Sequence, residues 1–177
     1  PFRRLVEAKE KNVPSFKEKL KYSRYVYQVF TRAKARNQRK QALLNDWLRQ
    51  YPPGSVLLRT GGDYALRVYG LLSPEVRSCI GGFIDVNLNC SGAELGLPVY
   101  AALANVPAAT QAVLLAGRRT LMGRLREEAA AWEGQFAILD PYHFLAEHGI
   151  ICRHGVGDFE PAEEDYDVGF PFAEVAY

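Results

Sequence analysis

Residues 55–72, SVLLRTGGDYALRVYGLL, form the segment on which the predicted fold depends. Apolar residues predominate in 55–60 and 64–72, and the Gly-Gly-Asp sequence of residues 61–63 separates the two runs. Glycine and aspartate tolerate the positive φ that tight hairpin turns require. The stretch therefore predicts two antiparallel strands joined by a turn.

The clearest strand pattern in the chain follows at Phe83–Cys90. Ile84, Val86 and Leu88 alternate there with polar residues, beginning with Asp85. A period of two places the apolar side chains on one face of a strand and the polar ones on the other. We expect a third strand with one buried and one solvated face.

Further along the chain, Pro98 and Pro107 suit the first position of a helix and predict helices over 98–105 and 107–132. A strand over 112–116 is the alternative for part of the second helix.

The last elements of the predicted core follow closely on one another. The pattern predicts strands over 135–139 and 150–154, and between them a helix that Asp140 caps and Gly149 ends. The order of elements predicts an α+β domain with a mainly antiparallel sheet packed with helices.

A long helix is expected near the N-terminus. Ser15 and Glu18 have the spacing of a capping box, and no glycine or proline occurs in 15–50. The prolines of 51–54 end the helix. One continuous helix and two helices broken near 37–38 are both compatible with the pattern.

Charge is segregated along the chain. Residues 1–50 carry 14 Lys+Arg against 4 Asp+Glu, whereas 158–177 holds seven acidic residues and no basic one. A length of 177 residues suits one domain with extensions. We therefore predict a basic helical arm (1–54), an α+β core (55–157) and an acidic tail (158–177). We expect neither a transmembrane segment nor a secretory signal.

The cysteine and histidine content gives little support for catalysis. An odd count of three cysteines argues against a disulfide framework and favours an intracellular, reducing compartment. Association with a virion is a further possibility. Cys152 with His148 or His154 could form a small enzyme site or a metal site in the segment His143–His154. A cysteine in an apolar run is more typical of a core, and no Gly-rich phosphate loop is evident. We predict a protein that is not an enzyme and needs no cofactor or metal.

The basic arm is the strongest functional candidate. Its cations could neutralise phosphates, and its interleaved tyrosines could stack on unpaired bases, which favours RNA or single-stranded nucleic acid. An anionic membrane surface is the second option, and a solvated helix face with core tyrosines is the third. The predicted nucleic-acid-binding residues are Lys17, Lys21, Arg24, Arg32, Lys34, Arg36, Arg39 and Lys40.

The acidic tail carries apolar residues that a purely solvated tail would lack. Phe170, Phe172 and Tyr177 are predicted to bind protein, either a second copy of the chain or another subunit. Together these features favour a structural or assembly protein of a nucleoprotein particle, such as a virion matrix, coat or minor capsid protein or a ribonucleoprotein subunit. The alternatives are the small enzyme or metal protein described above and an adaptor that binds only protein.

Overall fold

The structure is a computed structural model that describes residues 16–159, without the side chains of 16–22 and of Leu103. Its packing divides into a unit that includes the N-terminal helix up to Ala35 and a second unit, Arg36–Glu160. The second unit holds the sheet and the sites considered below.

Five strands form one sheet in the order β3-β2-β1-β4-β5, and every neighbouring pair is parallel. The mainly antiparallel sheet expected from the sequence is therefore wrong, and the domain is α/β. The strands are β1 (Val56–Arg59), β2 (Ile80–Ile84), β3 (Val99–Tyr100), β4 (Ala112–Leu115) and β5 (Ala137–Leu139).

The predicted fold first differs from the structure directly after β1. Residues 63–70 form a helix and not the returning strand of a hairpin, with Gly62 in extended conformation as its N-cap. Tyr64, Ala65 and Val68 are buried on one side of this helix, a spacing that fits 3.6 residues per turn. Because a helix follows β1, the chain crosses over the sheet and β2 returns parallel to β1.

The helices are α1 (Phe16–Leu48), α2 (Asp63–Gly70), α3 (Pro74–Arg77), α4 (Met122–Ala130) and α5 (Pro141–Glu147). Short 3₁₀ turns occur at Ser91–Leu95, Leu103–Asn105 and Arg119–Leu121. Helix α1 runs through 37–38 without a break, and the predicted capping residue Ser15 lies outside the described residues. In residues 16–159, none of the helices has an apolar stretch that would cross a bilayer.

Helices cover both faces of the sheet. On one face Leu58 and Leu114 pack in a cluster with Ala65 and Val68 of α2 and with Leu48 at the end of α1. On the other face Leu115 packs against the buried side of α4, and Leu57 and Val113 pack near Trp132. This doubly wound arrangement is typical of parallel sheets, whose strands are buried on both sides.

Two other predicted strands differ from the structure. The strand predicted for 83–90 ends at Ile84, and Val86 beyond it is 81% exposed. No strand forms over 150–154, which runs irregularly across the core. Alternation of apolar and polar residues after Ile84 reflects a surface loop.

The prediction is confirmed around β5 and α5. Residues 137–139 are a strand, Asp140 caps the next helix by accepting from two backbone N–H groups, and Gly149 ends that segment at φ 73°. The strand alternative for 112–116 is also confirmed, so the expected helix over 107–132 is reduced to α4. At 98–105 the chain forms β3 and a 3₁₀ turn in place of the predicted helix.

Candidate ligand site at the carboxyl edge of the sheet

The strand order identifies where a ligand would bind. From β1 the chain moves to β2 on one side, whereas the later strand β4 lies on the other side of β1 and leads to β5. Parallel α/β proteins bind ligands outside the carboxyl ends of the strands, at the point where the strand order reverses. In this sheet that point lies between the end of β1 at Arg59 and the end of β4 at Leu115.

The turn after β1 has part of a dinucleotide-binding fingerprint. Thr60, Gly62 and Ala65 have the spacing of G-x-G-x-x-A, but threonine stands at the first glycine position. Thr60 nevertheless has a φ of 83°, a value unusual for a residue other than glycine. Its hydroxyl donates to the Ala116 carbonyl at 3.1 Å and joins the ends of β1 and β4.

The space beside this turn is filled by the chain itself. The Gly92 N–H donates to the Gly61 carbonyl at 2.7 Å, and a Cβ on Gly61 would overlap the sulfur of Cys90. Asp85 follows β2, where dinucleotide-binding proteins hold a ribose, but its carboxylate accepts from the Gly61 N–H at 2.7 Å. The usual dinucleotide position is therefore closed in this protein.

Two tyrosines occupy the centre of the crevice at the carboxyl edge of the sheet. The Tyr142 hydroxyl donates to the Gly117 carbonyl at 3.1 Å and lies 3.4 Å from the Tyr64 hydroxyl, which accepts from the Gly157 N–H. Burial raises the pKa of both phenols, followed for Tyr142 by the effect of Tyr64. Both side chains are therefore uncharged at neutral pH.

An open cavity of about 240 Å³ remains beside this filled centre, near the ends of β4 and β5. Arg119 enters it from the turn after β4, and Arg126 enters it from α4. None of the residues that line it is acidic. The full lining is Arg119, Met122, Arg126, Tyr142, Ala146, Ile151 and Cys152.

The guanidinium groups in the cavity are held by fixed partners. Arg119 donates from Nη1 to the Cys152 carbonyl at 3.1 Å, which leaves the charge of Arg119 without a counter-ion in that contact. Arg126 donates from Nε to the carboxylate of Asp140 at 2.5 Å. Asp140 is also the N-cap of α5 and is mostly buried. Two cations and one anion therefore give the cavity and its surroundings an excess of positive charge.

The predicted basic residues separate into groups in the structure. Arg24, Arg32 and Lys34 are exposed on α1, whereas Lys40 is only 2% exposed. The side chains of Lys17 and Lys21 lie outside the described residues.

The remaining cations of the predicted set bind the segment 148–158, which we call the strap. Arg39 donates to the His148 carbonyl at 3.0 Å and Arg36 to the Ile151 carbonyl at 2.7 Å. Lys40 donates to the Asp158 carbonyl at 2.5 Å. These three residues therefore hold the strap against the core.

The cysteine and histidine residues do not form a described metal site. Cys152 is buried among Leu44, Leu145 and Val156, and it also borders the cavity that contains Arg119 and Arg126. The ring of His148 is exposed and bonds through Nδ1 to the Phe144 carbonyl. Within 16–159, no group of three or more His, Cys, Asp or Glu side chains could hold a metal ion. The predicted protein-binding residues Phe170, Phe172 and Tyr177 lie outside the described part of the chain.

Sequence reasoning missed Arg119 and Arg126. A signal was present, because an arginine pair follows the apolar run 112–116, and residues after a buried parallel strand reach the carboxyl edge of the sheet. The helix prediction over 107–132 concealed it. The partial fingerprint at 60–65 was concealed in the same way by the hairpin prediction.

Comparisons with known proteins found no match. No protein-family model, no curated protein and no solved structure matches the chain.

Proposed function

We propose that residues 36–160 form a ligand-binding α/β domain that takes a small organic anion, carrying a phosphate or carboxylate group, in the cavity beside β4 and β5. The observation that carries this proposal is the pair Arg119 and Arg126 in an open cavity at the carboxyl edge of the sheet. Arginine presents a planar array of donors that matches phosphate and carboxylate oxygens.

The size of the cavity limits the ligand. Sites for drug-sized molecules usually enclose about 300 to 1,000 Å³, and this cavity is smaller, at about 240 Å³. A dinucleotide is excluded on volume as well as by the closed turn at Gly61. A small phosphate ester or a short carboxylate fits.

Binding without turnover is part of the proposal. The Tyr142 hydroxyl donates to Gly117, and its raised pKa keeps it protonated at neutral pH, so it is not available there as a base. The domain would then act by holding its ligand, as a sensor or carrier subunit within a larger assembly.

Inorganic phosphate and small phosphate esters are expected to raise the melting temperature of the protein, because a ligand that binds only the folded state stabilises it. At one hundred times the Kd the gain is about 2.7 kcal/mol. Arg119→Gln and Arg126→Gln should each weaken this binding about tenfold, while Arg49→Gln makes the same charge change on an arginine whose described partner is Asp46. Thermal unfolding with increasing anion measures the effect. Equal shifts in melting temperature for the unmodified protein and the three variants would contradict the proposal.

A second candidate function is binding of polyanions by the exposed part of α1. Tyr27 is 72% exposed and Phe30 is 58% exposed. Arg24, Arg32 and Lys34 are exposed on the same helix. Tyr27 is therefore not a core residue, whereas Tyr25 is partly buried. Exposed aromatic rings among cations favour single-stranded nucleic acid.

Replacing Arg24, Arg32 and Lys34 together by glutamine is expected to reduce affinity for single-stranded RNA at least tenfold and to flatten its salt dependence by about two units of slope, at about 0.7 per phosphate contact. Filter binding at several salt concentrations measures both quantities. A control with Arg49, Arg124 and Arg153 changed to glutamine removes the same charge from other exposed positions. The idea fails if the two triple variants lose affinity equally. Anionic vesicles in place of RNA separate nucleic acid from a lipid surface.

A further inference from the structure

A second cavity, of about 370 Å³, lies at the other half of the carboxyl edge. Arg59 ends β1 and Ile84 ends β2, and both border this cavity. Ala101 and Ala102 follow β3 and border it as well. It shares no lining residue with the cavity that contains Arg119 and Arg126, which we call the arginine cavity, so the two are separate. The ends of three adjacent strands thus open into one space.

The walls of this cavity are apolar. Apart from Arg59, the lining consists of hydrophobic residues at and after the end of β2, of Trp132, and of the small side chains of Ala101, Ala102 and Ala104. The connection from β3 to β4 contains only the 3₁₀ turn Leu103–Asn105, where a parallel sheet usually has a crossover helix. The missing helix leaves this part of the sheet open and Val86 81% exposed.

Arg59 is the one charged residue among the described residues that line this cavity, and it has a counter-ion. Arg59 donates from Nη1 to the Ile84 carbonyl at 3.0 Å and from Nη2 to Glu128 at 2.8 Å. Burial tends to raise the pKa of Glu128, but Arg59 and Arg124 outweigh it and keep the carboxylate ionised. The Nε of Arg59 is buried and has no hydrogen-bond partner among the described residues. The cavity therefore offers a neutralised ion pair and one unused donor.

We propose that this cavity binds the uncharged heteroaromatic ring of a purine-type ligand against Trp132. A flat ring gains dispersion and stacking energy on an indole face. Trp132 and three alanines line the cavity, so a large aromatic side chain meets only small side chains around it. Ring nitrogens are hydrogen-bond acceptors, and a small rotation of the guanidinium would let one of them accept from Arg59 Nε. Arg59, the one charged residue in the described lining, already has Glu128 as its counter-ion, which favours an uncharged ring over a free anion.

Adenosine is the probe for this site, since it carries the ring without a phosphate. Titration into the full chain is expected to quench the emission of Trp132, and the quench should disappear in Trp132→Phe, where Trp47 remains stacked on Phe144. Ala102→Phe and Ala104→Phe fill the cavity from exposed positions and should each weaken adenosine binding at least tenfold in calorimetry. Ala108→Phe, which adds the same ring at an exposed position outside the lining, should leave binding unchanged.

The outcomes separate this site from the arginine cavity. Phosphate binding should survive Ala102→Phe, and adenosine binding should survive Arg119→Gln. The proposal is overturned if adenosine gives no heat and no quench at millimolar concentration, if both filling variants bind it as well as Ala108→Phe does, or if Arg119→Gln abolishes it. A protein that binds phosphate but fails these tests loses only the adenosine site.

Discussion

Replacing Lys40 by alanine is expected to lower the free energy of unfolding by about 3 kcal/mol. The side chain is 2% exposed, so its removal leaves a cavity in the core. It also leaves the Asp158 carbonyl without the ammonium that donates to it at 2.5 Å. Both effects destabilise the strap, so the amides of residues 148–158 should lose protection from hydrogen exchange first. Denaturant unfolding and hydrogen exchange measure the two effects.

Two control variants identify the cause of that loss. Lys40→Met keeps most of the side-chain volume and removes only the donor, so it should cost about 1 to 2 kcal/mol. Lys34→Ala truncates an exposed lysine of the same helix and should change stability by less than about 0.5 kcal/mol. If Lys40→Ala is as stable as Lys34→Ala, Lys40 does not hold the strap. In RNA binding the ranking should reverse, because the buried lysine cannot reach a phosphate.

Replacing Gly155 by alanine should destabilise the protein by about 2 to 3 kcal/mol. A Cβ at this position would overlap the hydroxyl of Tyr64, and that hydroxyl cannot move away without losing Tyr142 and the Gly157 N–H as partners. The backbone of Gly155 is not in the left-handed region, so the cost comes from the overlap and not from φ. Denaturant unfolding measures it.

A double variant tests this explanation. Tyr64→Phe removes the obstructing oxygen, so Gly155→Ala should cost less in that background, and the two losses should fail to add. Gly70→Ala is the matched control, because a Cβ there meets no atom within 4 Å and alanine favours the helix at that position. Additive losses, or a loss at Gly70 equal to that at Gly155, would show that the crevice is not closed by this contact.

The elements with local chemical signals could be predicted from the sequence. Asp140 followed by proline, with Gly149 beyond, specifies α5 through capping groups that act within the helix itself. The absence of glycine and proline over 15–50 likewise specified α1. Such signals depend on residues that are close in sequence, so they do not depend on how the rest of the chain folds.

The direction of the strands could not be predicted in the same way. A glycine-rich turn after β1 is compatible with a hairpin and equally with the N-terminus of α2. The apolar positions of residues 64–72 fit both the period of a strand and the period of a helix. Val86 and Leu88 continue an apolar alternation, but they lie beyond the end of β2 at Ile84 and are exposed. Only long-range pairing distinguishes these outcomes.

The candidate sites failed to appear in the sequence for a related reason. Arg59 is far in the chain from Arg119 and Arg126, and all three border cavities at one edge because the ends of parallel strands share that edge. Without the parallel topology, each arginine is one charge among many. Three of the predicted arm residues, Arg36, Arg39 and Lys40, donate to backbone carbonyls of the strap, and the sequence gives no sign of these long-range contacts.

The central position of β1 has a consequence for how the chain folds as it leaves the ribosome. Val56 pairs with Ile80 on one side and with Ala112 on the other, so the strand synthesised first waits longest for its second neighbour. Until β4 emerges, one edge of the apolar β1 has no partner and can pair with another nascent chain. Slow translation between β2 and β4 should therefore increase aggregation, whereas slow translation after β5 should not.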